Sequence, residues 1–134
     1  MEYIDELSFY FEPQDIALVE RNLKTEKSNF YPSFQQIIQK DNMIEFELGL
    51  LNGHNLVDLT LRNHTIEKTV VDLKKVTTFF VEEKIDFLRI KIYTSNVPII
   101  YYEATSLKRI DELKKFSQAI EEVIRGTYAD CNNN

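Results

Sequence analysis

The 134-residue chain carries 22 acidic and 16 basic side chains, and its formal net charge is −6 at pH 7. Proteins that bind duplex nucleic acid normally present a basic face, so this charge argues against that class. The hydrophobic fraction of 43% and the charged fraction of 28% are typical of a globular protein. The length predicts a single domain spanning residues 1–134.

Cysteine content and apolar patterning predict a cytoplasmic location. Cys131 is the only cysteine, which excludes an internal disulfide bond. No apolar run approaches the roughly 18 residues that a membrane-spanning helix requires. The segment Met1–Glu6 is acidic and lacks the basic and then apolar layout of a secretory signal.

Residues 1–30 are predicted to form an extension that consists of a strand and a helix. The aromatic run Leu7–Phe11 favours a short strand. Pro13 suits the first turn of a helix, and the apolar spacing from Gln14 to Lys24 is helical. This part of the chain is also its most acidic part, with seven acidic and three basic side chains.

A meander of strands is predicted next. Phe34–Gln39 fits either a strand or a short helix. Met43–Leu51 and His54–Arg62 alternate between apolar and polar residues and are joined through Asn52-Gly53, a strong hairpin signal. The alternation places Glu45 and Glu47 on a solvated face. Further strands are predicted over Thr65–Leu73, Val76–Val81, Asp86–Thr94 and Val97–Ala104.

The segment after the last strand is predicted to be one long amphipathic helix. Ser106 or Thr105 can cap its start, and Gly126 follows its last apolar position, where a left-handed cap is favoured. We expect the middle of the apolar stripe to be buried against a sheet. The stripe consists of Leu107, Ile110, Leu113, Phe116, Ile120, Val123 and Ile124.

Together these elements predict an α+β fold in which a curved antiparallel sheet of about five to seven strands is closed by the C-terminal helix. The sheet and the helix cover residues 34–126, the N-terminal strand and helix are additional, and residues 127–134 are predicted to be a disordered tail. From Ile66–Val76 through two more strands to the closing helix, the chain resembles a pleckstrin-homology-like domain of the bacterial type. The resemblance implies a domain without shared catalytic residues, whose relatives bind proteins or lipids or assemble with themselves.

No pattern indicates a catalytic, metal or cofactor site. His54 and His64 are ten residues apart and are predicted to be exposed loop residues. Cys131 lies in the predicted tail, where no base can be held beside it. Three scattered glycines cannot form a phosphate-binding loop. We therefore expect neither enzymatic activity nor a cofactor.

Two sets of residues are candidates for binding a partner. The first is acidic and aromatic and lies near the N-terminus, where aromatic side chains can anchor an interface. The second is basic and, if the sheet is curved, its members can converge on an acidic group. The first set is Asp5, Glu6, Tyr10, Glu12, Asp15 and Tyr31, and the second is Lys74, Lys75, Arg89, Lys91, Lys108 and Arg109.

These observations favour a non-enzymatic binding module whose partner is a protein, and a homo-oligomer is compatible with them. The alternative is a small acidic inhibitor or immunity-type protein that neutralises a toxin or nuclease through its acidic N-terminal third. A third hypothesis is a binder of anionic lipid headgroups that uses the basic set.

Overall fold

The structure is a computed structural model that describes residues 6–24, 32–95 and 99–126. The chain divides into two compact units. One unit comprises the described residues of Met1–Asn52 and Val57–Thr69, and the other comprises those of Gly53–Leu56 and Val70–Asn134. The predicted tail, residues 127–134, lies outside the described residues.

Two helices and a four-stranded antiparallel sheet come first in the chain. The strands are neighbours in chain order, as the predicted meander requires. Phe34–Gln39, for which the sequence left two interpretations, belongs to the first strand. The elements are α1 (Leu7–Tyr10), α2 (Pro13–Leu23), β1 (Ser33–Lys40), β2 (Met43–Asn52), β3 (Asn55–Arg62) and β4 (Thr65–Asp72).

Tight turns join these strands and fix their register. Gly53 has a φ of 63° between β2 and β3, where the hairpin was predicted. Two further turns place non-glycine residues in the left-handed region: Asp41-Asn42, with φ values of 49° and 67°, and Asn63-His64, with 52° and 61°. Positive φ at both central residues characterises the two-residue hairpin turn that matches the twist of the strands.

The predicted N-terminal strand is wrong, because Leu7–Tyr10 is a helix. The amide of Phe11 donates to the carbonyl oxygen of Leu7 at 2.9 Å, as in a helical turn. Leu7 is buried and Phe11 is partly buried, whereas Phe9 between them is 80% exposed. Burial that repeats after four residues follows helical geometry, which the aromatic composition of this segment had obscured.

One face of β2 and β3 packs against the two N-terminal helices. The capping box at the start of α2, formed by Glu12 and Asp15, fixes where that helix begins. The polar side of this helix stays in solvent while Val19 enters the core. The buried members of this core are Leu7, Val19, Phe46, Leu48, Leu50, Val57, Leu59 and Leu61.

The second unit is built on a three-stranded antiparallel sheet and the closing helix. Its strands are β5 (Val76–Lys84), β6 (Phe87–Thr94) and β7 (Ile100–Ala104), in that order across the sheet. A 3₁₀ turn, Leu73–Lys75, precedes β5. The side chain of Asp72 accepts a hydrogen bond from the amide of Lys74 at 3.0 Å and so stabilises this turn.

The closing helix, α3 (Leu107–Arg125), has the predicted caps. The Ser106 side chain accepts a hydrogen bond from the amide of Arg109, and Gly126 is left-handed with a φ of 75°. The prediction that Leu113, Phe116 and Ile120 are buried is confirmed. Leu107, which the apolar stripe included, is 84% exposed, because it lies in the first turn ahead of the buried part of the helix.

The α+β class is therefore confirmed at the level of its elements. The seven described strands form two antiparallel sheets of four and three strands, and neither sheet is closed or strongly curled. Within the described ranges, no helix combines the length and apolarity that a membrane crossing requires.

Candidate functional site

The strands of the three-stranded sheet present two different faces. Successive side chains of a strand point to opposite faces, and residues paired across antiparallel strands share a face. The inner face contains Leu88, Ile90 and Ile92 of β6, all buried. The opposite side, which we call the outer face, contains Phe80, Glu82, Lys84, Phe87, Arg89, Lys91, Tyr93, Tyr101 and Glu103.

Helix α3 packs against the inner face along β6 and β7. The ring of Tyr102, opposite Ile90 in the sheet, meets the ring of Phe116 edge to face at a centroid distance of 5.9 Å. Both rings are fully buried. The outer face is thus the side of this sheet that α3 does not cover, and it holds large side chains that remain accessible: Phe80 is 45% exposed and Tyr101 is 41% exposed.

Arg89 organises the centre of the outer face. Its guanidinium donates to a Glu82 carboxylate oxygen at 2.8 Å and to a Glu103 carboxylate oxygen at 2.9 Å, and its Nε donates to the Tyr101 hydroxyl at 3.0 Å. The hydrogen bond to Glu103, and then that to Tyr101, raises the pKa of Arg89 above its ordinary value. Two carboxylates surround one permanent cation, so this centre carries no positive charge for a ligand.

Aromatic rings and cations alternate around this centre. The Arg89 guanidinium carbon lies 4.9 Å from the centroid of the Phe87 ring, and the Lys84 ammonium lies 5.3 Å from it. The Lys91 ammonium lies 5.8 Å from the centroid of the Phe80 ring. These cation–π contacts hold the rings and the long side chains in defined positions on the sheet.

Next to this network the outer face contains an open depression of about 390 Å³. A bulge forms one edge of it: the pairing of β5 with β6 shifts between Val76 and Thr78, and the Thr77 hydroxyl donates to the carbonyl oxygen of Tyr93 at 3.2 Å. Three threonines, two aromatic residues and one lysine therefore line a single recess. Its lining is Thr77, Thr78, Phe80, Lys91, Tyr93 and Thr94.

Lys91 is the charged residue of the depression. It contacts the Phe80 ring, and among the described residues no carboxylate forms an ion pair with it. An ammonium beside hydroxyl donors and an apolar ring can hold one anionic group together with an adjoining apolar side chain.

The acidic set from the sequence does not form one free surface. Glu12 and Asp15 are engaged in the α2 capping box, and Asp15, only 3% exposed, also contacts His64. Glu6 is exposed at the start of α1, and Tyr10 is 41% exposed. The two remaining members, Asp5 and Tyr31, lie outside the described residues.

The basic set is divided between different surfaces. Arg89 and Lys91 lie on the outer face. Lys108 and Arg109 lie on α3, which covers the opposite side of the same sheet, and Arg109 pairs with Glu112. Lys74 and Lys75 are exposed in the 3₁₀ turn. Two of the six basic residues therefore lie on the outer face, and the six do not share one face.

The sequence patterns did not predict the aromatic and hydroxyl members of the depression as site residues. The alternation of β6 could have paired Tyr93 with Lys91 on one face, but β5, in which no residue is fully buried, offered no clear alternation for Thr78 and Phe80. In residues 6–24, 32–95 and 99–126, no three His, Cys, Asp or Glu side chains are grouped as metal ligands. Cys131 lies outside those ranges.

Comparison with known proteins does not assign this chain to a family. No protein-family model matches it, and a search of the curated proteins finds no significant relative.

Proposed function

We propose that the protein is a non-enzymatic binding module that takes a protein partner on the outer face of the β5-β6-β7 sheet. The observation that carries the proposal is the open depression beside exposed aromatic residues on the side of the sheet that α3 leaves uncovered. Aromatic side chains supply large contact area at a low cost in conformational entropy, and for this reason they recur as interface anchors.

The charge of the outer face favours a protein over a nucleic acid. Proteins that bind single strands combine stacking rings with a positively charged groove. Here Glu82 and Glu103 neutralise Arg89 in the middle of the face, and the chain as a whole carries a charge of −6. Exposed rings around a cation that is already neutralised are better suited to a protein surface.

Two adjacent residues of β5 provide a matched test. Phe80 and Val81 are both 45% exposed but point to opposite faces of the strand. The tagged wild-type protein, Phe80→Ser and Val81→Ser would each be used to capture partners from the native host, with recovery quantified by mass spectrometry. We expect Phe80→Ser to lower recovery of the partner about tenfold, the effect of losing one anchor of moderate strength. Val81→Ser should retain wild-type recovery.

Equal recovery by all three proteins, or equal loss by both variants, would place the partner elsewhere and reject the outer face.

A separate assay addresses the non-enzymatic part of the proposal. Turnover of a hydrolase substrate would contradict it if the activity persists through repurification and is lost when a residue of this chain is substituted.

The pleckstrin-homology-like arrangement, a curved sheet closed by the C-terminal helix, is part of the same proposal. The order of elements supports it: strands β1 to β7 follow one another without an intervening α-helix, and α3 comes last. An experimental structure in which the strands curl around α3 would establish the arrangement, and a flat open sheet would exclude it.

The second candidate, an acidic inhibitor of a basic toxin or nuclease, is favoured by the surface of α1. Phe9 is 80% exposed, and Glu6 and Glu12, three residues before and after it in the chain, are also exposed. Reversal of Glu6 and Glu20, which is also exposed, tests this candidate without disturbing the buried Asp15. If partner capture by Glu6→Lys/Glu20→Lys equals that of the wild-type protein, this candidate is rejected.

A further inference from the structure

We propose that the depression on the outer face binds a carboxylate side chain of the partner, carried on an acidic segment with an adjoining apolar residue, and that Lys91 is its counter-ion. The inference rests on the proposed function, because it specifies the chemistry of the partner at the same face. It names a carboxylate as the ligand group and the Lys91 ammonium as the group that binds it, and it predicts a preference for acidic peptides that a charge reversal should invert.

Lys91 differs from the other central cation of the outer face in how its charge is used. Arg89 is held between two carboxylates at 2.8 and 2.9 Å, so its charge is already compensated. Lys91 has a ring on one side and no ion pair with a described residue. Because an unpaired ammonium at a recess attracts a counter-ion, charge complementarity predicts an acidic group in the partner.

The neighbouring hydroxyls can complete the coordination of a carboxylate. Thr78 and Tyr93 are paired across β5 and β6, and both line the depression. A carboxylate accepts through two oxygens, so one oxygen can pair with Lys91 Nζ while the other accepts from a hydroxyl. The Phe80 ring forms an apolar wall for the next residue of the segment.

The side chains that line the depression are less suited to a phosphate as the principal ligand. A phosphate group on a protein carries nearly two negative charges and is usually bound by several arginines. The depression contains one lysine, and the guanidinium of Arg89 is occupied by Glu82 and Glu103. At about 390 Å³ the depression is also larger than a single carboxylate needs, which leaves space for the adjoining apolar side chain.

The test is a selection of random peptides on the folded full-length protein, carried out in parallel with wild type, Lys91→Met, Lys91→Glu and the control Lys84→Met. Lys84 lies on the same face over the Phe87 ring but does not line the depression. Binding of selected peptides is then located from amide chemical shifts of the isotope-labelled protein. Anionic lipid vesicles and a single-stranded oligonucleotide are titrated in the same way.

We expect wild type and Lys84→Met to select peptides rich in Asp and Glu that perturb the amides of β5 and β6. Lys91→Met should bind those peptides about tenfold more weakly, as expected for loss of a partly desolvated charge-assisted contact. Lys91→Glu should select Lys and Arg in their place. A reversed preference cannot result from misfolding, since a misfolded protein would lose binding and gain no selectivity.

Other outcomes separate the two proposals. Peptides that bind at the outer face without acidic enrichment would overturn the carboxylate inference and leave the proposed function standing. If no peptide perturbs β5 or β6, or if only the vesicles or the oligonucleotide do so, both proposals are overturned.

Discussion

Glu47 is the acidic side chain whose surroundings differ most from the solvated face that the sequence predicted. Its carboxylate accepts a hydrogen bond from the Gln36 side chain at 2.9 Å on the sheet face opposite Phe46 and Leu48. Burial, opposed by the hydrogen bond from Gln36, raises the pKa of Glu47 from 4.5 to about 7. The alternation of β2 was predicted correctly, but alternation identifies the two faces of a strand and does not show how deeply each is buried.

This raised pKa makes the stability of the protein depend on pH. Between pH 4.5 and about 7 the folded state holds a proton on Glu47 that the unfolded state has released, so stability falls as pH rises through this window. Glu47→Gln keeps the acceptor but cannot ionise. Above pH 7 we expect it to be more stable than wild type by up to about 3 kcal/mol, at 1.36 kcal/mol for each pKa unit. Below pH 4.5 the difference should vanish.

Urea titrations of both proteins across this pH range provide the measurement. Glu45→Gln, two residues away on the same strand face, is the matched control. Its carboxylate accepts a hydrogen bond from Arg62 Nε at 2.7 Å, so its removal should not stabilise the protein at high pH. If the free energies of unfolding of wild type and Glu47→Gln change in parallel with pH, the Glu47 carboxyl is not the source of the pH-dependent stability.

The pair formed by His64 and Asp15 links a hairpin turn to the start of a helix. The imidazole Nδ1 lies 2.9 Å from an Asp15 carboxylate oxygen, and this hydrogen bond, reinforced by the negative charge, raises the pKa of His64 above 6.5. The sequence predicted only an exposed loop histidine, because no local pattern brings together residues 49 positions apart. In the turn His64 has a φ of 61°, which a non-glycine residue rarely adopts.

We expect this pair to stabilise the protein when His64 is protonated. The contribution is fully present below pH 6.5 and is lost as pH rises through the raised pKa of the folded state. His64→Asn, which tolerates the same backbone conformation, should remove this pH-dependent component. Thermal melts at several pH values would measure it, and in an Asp15→Asn background the same substitution should have no pH-dependent effect. An unchanged slope in His64→Asn would contradict the prediction.

At the scale of elements, the closing helix was the most predictable part of the fold. Its spacing of apolar residues, its serine cap and its terminal glycine all act within a few residues, so the sequence alone contained them. The short helix α1 was not predictable in this way. Four residues are too few to establish a helical period, and the helix forms because Leu7 enters the core against β2 and β3.

Adjacent residues of α3 provide a contrast in stability. Phe116 is 1% exposed and packs against Tyr102, whereas Lys115 is exposed and pairs with Asp111 at 3.2 Å. Phe116→Ala should lower the free energy of unfolding by about 3–5 kcal/mol, through lost burial and the cavity left behind. Lys115→Ala should change it by less than about 0.5 kcal/mol, since exposed ion pairs contribute little. Equal unfolding midpoints in denaturant would show that the helix face is not core.

At the scale of the whole molecule, the strands were predictable but their division into two sheets was not. The sequence contained the alternation of β2, β3 and β6 and the turns between them. Nothing in those patterns distinguishes a continuous meander from one that breaks after β4. The break occurs at the 3₁₀ turn Leu73–Lys75, where Leu73 is buried and the Asp72 side chain holds the backbone. The outer face belongs to the three-stranded sheet after the break, so it too could not be predicted from the sequence alone.

The net charge of −6 distinguishes the two functional candidates by kinetics. An acidic inhibitor approaches a basic target under long-range attraction, so its association rate constant should fall steeply as salt rises. A partner that is itself acidic, and that places an acidic segment at Lys91, approaches a protein of its own charge sign. Long-range repulsion then slows the encounter, and added salt screens that repulsion.

The association rate constant of the captured partner can be measured by stopped flow from about 0.01 M to about 1 M salt, a range over which the Debye length falls from about 30 to about 3 Å. We expect the association rate constant to stay level or rise over this range, while the dissociation rate increases because the contact at Lys91 is screened. An association rate constant that falls by orders of magnitude would instead identify the acidic N-terminal third as the binding surface.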